Sequence, residues 1–202
     1  MPFWTCTSVS LGEILQRELR GVVELSAAQI SALERHYALL LHWNRRINLT
    51  TVTQLPEAAL RHYCESLFLA ARLSPGEVVD VGSGAGFPGI PVAITRPDCR
   101  VTLVESHQRK AVFLREASRG LEDVRVVAAR AETLQLGYEW LISRAVDPSE
   151  LMTLGIARRF AILLGADEAS RLAADDVIPL PWGERRVLAI GTFHVKQTGE
   201  SS

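Results

Sequence analysis

Four glycines fall within eight residues in Gly82-Ser83-Gly84-Ala85-Gly86-Phe87-Pro88-Gly89, directly after the apolar run Val78-Val79-Asp80-Val81. Glycine admits positive φ and lets a backbone approach a ligand at distances a Cβ would block, so the pattern predicts a nucleotide-cofactor loop. Pro88 presets φ for a first helical turn, whose free N–H groups are expected to face the same loop. Gly84 to Gly89 satisfies G-x-G-x-x-G in form. The dinucleotide fingerprint starts at the strand end, however, where Gly82 sits, and counted from there its third glycine falls on Phe87. A cofactor without a pyrophosphate fits the spacing better. The next apolar run, Arg100-Val101-Thr102-Leu103-Val104-Glu105, ends about 20 residues on in a carboxylate able to accept both hydroxyl protons of a ribose. Glu105 therefore asks for a nucleoside without specifying nicotinamide. The bland alternative is an ordinary strand-turn-helix corner with a surface glutamate, which needs loop, acid and spacing to coincide by accident.

The elements that must position this loop follow from periodicity. Residues 10–73 read as helices: Leu11, Ile14, Leu15 and Leu19 lie at helical spacing, Ser26 caps a second run, and Pro56 opens a third. From Val78 the rhythm changes to strand then helix, with strands at Val78–Val81, Val101–Glu105, Val124–Ala128, Trp140–Ser143 and Phe160–Leu164. Helices begin near Pro88, Gln108 and Pro148. The alternation predicts an α/β fold with a mostly parallel sheet covered on both faces. Val187 to Val195 reads as a final strand, antiparallel because Pro181-Trp182-Gly183-Glu184 looks like a tight return. The organisation expected is a helical region over 1–74 packed on a core over 75–196, with a polar tail over 197–202.

Composition bounds the function without naming it. With 22 Lys+Arg against 23 Asp+Glu in 202 residues, the net charge of -1 offers no bulk attraction for a polyanion, so a nucleic-acid partner has to be met by a local patch. Lys110 and Lys196 are the only lysines, and guanidinium forks suit phosphates and base edges better than ammonium points. Cys6, Cys64 and Cys99 are odd in number and widely spaced, which supports neither a disulfide framework nor a zinc site. Phe3 and Trp4 sit in a segment without a signal-peptide pattern, and no apolar run approaches about 18 residues. A soluble, cytoplasmic protein without a structural metal is expected.

His42-Trp43-Asn44-Arg45-Arg46-Ile47-Asn48-Leu49-Thr50, Arg61-His62-Tyr63-Cys64-Glu65-Ser66-Leu67, Val79 through Pro91 and Ile142-Ser143-Arg144-Ala145 follow one another in an order that resembles the bacterial small-subunit ribosomal RNA N7-guanine methyltransferase family, once called glucose-inhibited division protein B. The resemblance covers about residues 30 to 145, and its glycine segment with Phe-Pro-Gly-Ile-Pro attached is far more specific than a bare glycine loop. It implies a class I S-adenosylmethionine-dependent, Rossmann-like fold acting on a guanine of 16S ribosomal RNA, free or within the small subunit, with the protein a monomer. The cofactor contacts it implies are Gly82 and Phe87 in the loop, Ala131-Glu132 after the third strand and Arg144 after the fourth, and the loop and ribose-acid reading adds Asp80, Gly84, Gly86 and Glu105 to the same site. Glu132 also reads as a helix-start acid, and Arg144 as half of a structural ion pair.

Arg45, Arg46, Asn48, Arg61 and His62 become candidate RNA contacts through the same resemblance. Read alone, the first three suit a solvated helix end, and a lone histidine on a helix is more often a packing residue. No H-E-x-x-H, G-x-S-x-G or paired-carboxylate spacing is present, and no catalytic residue is assigned. The resemblance also implies a lysine beside the glycine after the fifth strand, whereas Leu163-Leu164-Gly165-Ala166-Asp167 puts an acid there. A non-catalytic RNA-binding or assembly factor and, more remotely, a nicotinamide oxidoreductase are the competing functions.

Overall fold

The computed structural model describes residues 9–193. Phe3, Trp4, Cys6, the end of the expected final strand beyond residue 193, Lys196 and the expected polar tail lie outside the described residues. Helix α1 spans Leu11–Glu18 and α2 spans Ala27–Asn44. Each begins with a reciprocal capping box, Ser10 with Glu13 and Ser26 with Gln29, which satisfies two of the orphan donors at the helix start. The third helical run, expected as one helix from Pro56, is α3 (Leu55–Ala58), a π-helical segment (Ala59–Cys64) and α4 (Glu65–Ala70) in unbroken succession.

The remaining elements alternate as expected: β1 (Gly76–Val81), α5 (Gly89–Thr95), β2 (Cys99–Val104), α6 (Gln108–Ala117), β3 (Val124–Val127), a 3-10 turn (Ala131–Thr133), β4 (Tyr138–Arg144), α7 (Pro148–Thr153) and β5 (Ala157–Gly165). They are followed by α8 (Ala166–Ala169), β6 (Asp176–Pro179) and β7 (Arg186–Thr192). The strands form one seven-stranded sheet in the order β3-β2-β1-β4-β5-β7-β6. The first five are parallel neighbours, and β7 runs antiparallel between β5 and β6. The antiparallel final strand agrees with the sequence. Strand β6 was not anticipated: it is four residues long, mostly exposed at the sheet edge and ends in a proline, so it carries no hydrophobic alternation to betray it.

Alternate residues of the central strands go to opposite faces, as a period of two requires. Val78, Trp140, Ile142 and Leu163 join one cluster with Leu15, Leu33, Leu40, Tyr63 and Leu67 from the N-terminal helices. Val79, Leu141, Phe160 and Ile162 join a second cluster with Leu151 on the other face. The strand order reverses between β1 and β4, and at such a switch point the carboxyl ends of the strands open a crevice.

Gly191 on β7 faces Phe160 across the β5–β7 ladder, and a Cβ there would lie 2.4 Å from the ring's Cζ. The ring is fully buried and has nowhere to retreat. Gly191→Ala should therefore lower stability by about 1–3 kcal/mol through overpacking. A urea midpoint equal to that of the natural chain would contradict this packing.

Candidate functional site

The loop after β1 is built on three left-handed residues, Gly82 (φ 72°), Gly84 (φ 51°) and Gly86 (φ 87°), a conformation that side chains with a Cβ resist. Gly82 and Ser83 both donate their N–H groups to Val104 O at 3.0 Å, and Gly86 and Phe87 donate to Ser83 O. A Cβ on Gly82 would strike Val146 at 2.5 Å, whereas one on Gly84 would meet nothing nearer than Gly82 O at 3.7 Å. At Gly84, then, an added atom would make only an ordinary van der Waals contact.

The free N–H groups expected at the following helix are already used. Gly89 donates to Asp80 Oδ2 at 3.0 Å, and Ile90 donates to Gly86 O at 2.7 Å. Pro88 sits at the N-cap rather than in the first turn. Asp80 lies beneath the loop, fully buried, with Oδ1 lacking a hydrogen-bond partner; burial pushes its carboxyl up to about 7. Phe87 also turns inward, stacked on the His62 ring at 4.7 Å.

Of the proposed cofactor residues, Gly82, Glu105, Ala131 and Glu132 line one cavity of about 170 Å³ at the ends of β1, β2 and β3. Glu105 is held by two backbone donors, Gly84 N–H on Oε2 (3.0 Å) and His107 N–H on Oε1 (2.7 Å). Each carboxylate oxygen keeps a second lone pair, so the group is an acceptor set in place rather than consumed.

Arg144 stands in a second cavity of about 600 Å³, with Arg61, His62, Glu65, Thr50 and Arg186. Val146 borders both cavities. The Arg144 guanidinium donates to Arg61 O at 2.8 Å and lies 2.7 Å from His62 Nδ1. Arginine can only donate, so Nδ1 accepts and the imidazole carries its proton on Nε2, which faces Thr50 Oγ1 at 3.0 Å. Burial, first of all, pushes His62 down to about 3, so the ring is neutral and both its nitrogens are occupied. Burial also lowers Arg144 to about 10, which leaves it charged at neutral pH. No carboxylate among the described residues pairs with it. The structural ion pair at this site belongs instead to Glu65 and Arg186, whose guanidinium reaches both carboxylate oxygens at 2.8 and 3.3 Å.

Arg186 was not anticipated, and it bears on the acid at Asp167. On the β5–β7 ladder Arg186 is the register partner of Gly165, so a cation reaches the cavity from β7 where the sequence after β5 supplies none. Asp167 is itself paired with Arg185. Arg45, Arg46 and Asn48 are exposed at and beyond the end of α2, and none lines either cavity. The working residue of that turn is Asn44, whose side chain accepts from Leu49 N and Thr50 N and donates to Thr50 O, fixing the threonine that meets His62. An asparagine at a helix end carries that signal in sequence. The thiols of Cys64 and Cys99 are free and buried. Among the described residues no cluster of three His, Cys, Asp or Glu could hold a metal, and no helix is long and apolar enough to cross a membrane.

Residues 29–159, well over half of the chain, match the family model described as GidB, rRNA small subunit methyltransferase G. Similar proteins include the ribosomal RNA small subunit methyltransferase G of Xanthomonas euvesicatoria pv. vesicatoria (strain 85-10), 46% identical over 137 residues, covering 66% of this chain and 64% of that protein. The protein of the same description from Xylella fastidiosa (strain M23) is 43% identical over 139 residues, 66% of each chain. The match therefore spans a little under two thirds of these relatives' length. Among solved structures, Burkholderia thailandensis 1,6-didemethyltoxoflavin-N1-methyltransferase with bound S-adenosylhomocysteine superposes with TM-score 0.52 at 18% identity over 85% of this chain and 92% of that one. The 23S rRNA methyltransferase ErmE superposes with TM-score 0.50 at 16% identity over 66% and 69%. These likenesses carry the fold alone, a mostly parallel Rossmann-like sheet of the kind those two methyltransferases have.

The buried titratable groups oppose one another in pH dependence. His36 and His62, pushed down to about 4 and about 3 from 6.5, contribute stability that is present above pH 6.5 and lost on acidification. Asp80, raised from 3.8 to about 7, contributes stability that is present below 3.8 and lost as pH rises through 7. Asp80→Asn removes the opposing acid, so between about pH 6 and 4.5 the variant should lose stability more steeply by about one proton, roughly 1.4 kcal/mol per pH unit. Parallel slopes for the two proteins in urea titrations would mean that Asp80 is ionised in the folded state.

Proposed function

The chain belongs to the rRNA small subunit methyltransferase G family, and from that membership we propose that it transfers a methyl group from S-adenosylmethionine to N7 of a guanine in small-subunit ribosomal RNA. The observation that supports the reading is the meeting, at one end of the sheet, of a glycine loop backed by a fixed carboxylate with a cavity of mixed charge, in which Arg144, unlike Arg61 and Arg186, has no ion-pair partner among the described residues. Gly84 admits a close ligand, Glu105 offers acceptors to a ribose, and the backbone of Ala131-Glu132 can meet an adenine edge. The spent N–H groups of Gly89 and Ile90 leave that helix start without donors for a pyrophosphate, which favours a mononucleoside cofactor over a dinucleotide.

When bound, S-adenosylmethionine supplies an electrophilic methyl on a sulfonium. Guanine N7 attacks with a lone pair that is already free, and no proton leaves with the transfer, so the chain needs no general base. His62 suits such a site because its nitrogens are committed to Arg144 and Thr50. The residues' task is positioning, worth several kcal/mol when the reacting atoms are held about 3 to 3.5 Å apart. Arg144, charged and free of a carboxylate, offers a rigid fork to the methionine end of the cofactor or to guanine O6, beside the wall that Val146 makes between the cavities. Arg61, paired with Glu57, adds a second guanidinium to the lining, and Arg45, Arg46 and Asn48 serve as outer contacts to phosphates. N7 lies in the deep major groove of A-form RNA, so the target guanine is taken from a loop or swung out of its stack.

Incubating the protein and methyl-labelled cofactor with undermethylated small subunits should label 16S RNA at one guanine, located by chemical mapping of N7. Label on another RNA or another base atom would overturn the reading. Glu105→Gln keeps one acceptor but loses the charge-assisted bond, so its S-adenosylhomocysteine dissociation constant should rise about tenfold or more. An unchanged constant in calorimetry would remove the ribose role from Glu105.

A further inference from the structure

We propose that His36, on the second helix and 49 residues before the loop it touches, is the positioning residue that holds the glycine loop in its ligand-ready shape. The inference rests on the reading that this loop receives the cofactor. His36 is almost wholly buried, and its two nitrogens meet two polar groups: Nε2 lies 3.1 Å from Ala85 O, and Nδ1 lies 3.0 Å from the Tyr63 hydroxyl. A carbonyl can only accept, so Nε2 carries the proton and donates to it. Nδ1 is then bare and accepts from Tyr63. One tautomer therefore satisfies both contacts, and the imidazole ties together α2, the π-helical segment and the loop.

Ala85 is the residue between Gly84 and Gly86, both at positive φ, so its carbonyl direction reports the turn of the whole loop. The approach is close enough that a Cβ on Gly86 would lie 3.1 Å from Nε2 and 2.6 Å from Ile90 Cγ1. Gly86 is thus required by the pin as well as by its own dihedral. Phe87 closes the other side, with its ring 5.1 Å from the His36 ring and 5.0 Å from Tyr63, both edge-on. Without the donor, the Ala85 carbonyl stays buried and unpaired unless the loop turns it outward. Turning it outward changes the dihedrals that open the cradle at Gly84. A ligand that needs the ligand-ready shape then binds more weakly in proportion to the fraction of chains still holding it.

Two variants and two readouts test the proposal. His36→Leu removes both contacts, whereas in His36→Gln the amide N–H stands near the position of Nε2 and can still reach Ala85 O. Both lose the acceptor shaped for Tyr63 and should melt below the natural chain. S-adenosylhomocysteine affinity should fall about tenfold or more in His36→Leu, the scale of one buried carbonyl left unsatisfied, and only about threefold or less in His36→Gln. In the free protein, amide exchange at residues 84–87 should accelerate in His36→Leu beyond the change in the rest of the sheet. Equal affinity losses in the two variants, or exchange that rises uniformly across the chain, would make His36 an ordinary packing residue and end the proposal. If the natural chain itself binds no S-adenosylhomocysteine, the functional reading fails, and the exchange comparison still decides whether His36 pins the loop.

Discussion

Three left-handed residues in five leave the loop between β1 and α5 with little ability to hold itself, because each glycine that permits the turn also enlarges the ensemble of alternatives. Its shape is imposed from outside by four groups on β2 and its end, β1 and α2. Val104 O at the end of β2 receives two N–H groups, Glu105 receives that of Gly84, Asp80 on β1 receives that of Gly89, and His36 on α2 donates to Ala85. The parallel sheet matters to the site chiefly because it brings the first three of these within reach, and the N-terminal helices matter because they bring the fourth. A burden of buried polar groups comes with this solution. Asp80 and His36 are both driven toward their neutral forms, and Asp80 Oδ1 has no partner.

The second cavity is organised by a division of labour among charges. Glu65 is almost wholly buried and bonded through both oxygens to Arg186, and no hydrogen bond joins it to Arg144. Arg144 is then left to neutral acceptors, a backbone carbonyl and a neutral imidazole, which fix its direction without cancelling its charge. A guanidinium so held is oriented and still able to answer an anion or a carbonyl edge. The π-helical segment makes this possible, since it places the carbonyl of Arg61 and the ring of His62 against the same guanidinium while keeping Tyr63 in the core. Wide turns of this kind recur at functional sites.

The parts legible in the sequence are those governed by local chemistry. The capping residue Ser26, the five parallel strands, the glycine loop and Glu105 each announce themselves through period, composition or spacing, and the structure finds them within a few residues of their expected places. What escaped depends on distant partners. Arg186 matters because β7 aligns it with Gly165, and His36 because α2 carries it to Ala85; neither has a local signature. The π-helical segment hides within a normal apolar helical pattern, and β6 is too short and too exposed to alternate. Asn44 does carry a local signal, since an asparagine closing a helix is a turn former.

The place of β7 in the sheet has a consequence for how the molecule is completed. Among the described residues it follows every other strand, yet it lies between β5 and β6, so β5 presents an unpaired edge until the β6–β7 hairpin folds in. The same event delivers Arg186 to Glu65, so that a buried carboxylate gains a guanidinium bonded to both of its oxygens. During vectorial synthesis the helices and the five parallel strands can assemble before this ion pair exists, with the Arg144 guanidinium of β4 a charge near Glu65, and the direct pair waits for a residue of β7. The charge lining of the second cavity is therefore complete only in a chain whose sheet is complete, which couples the finishing of the fold to the finishing of the site.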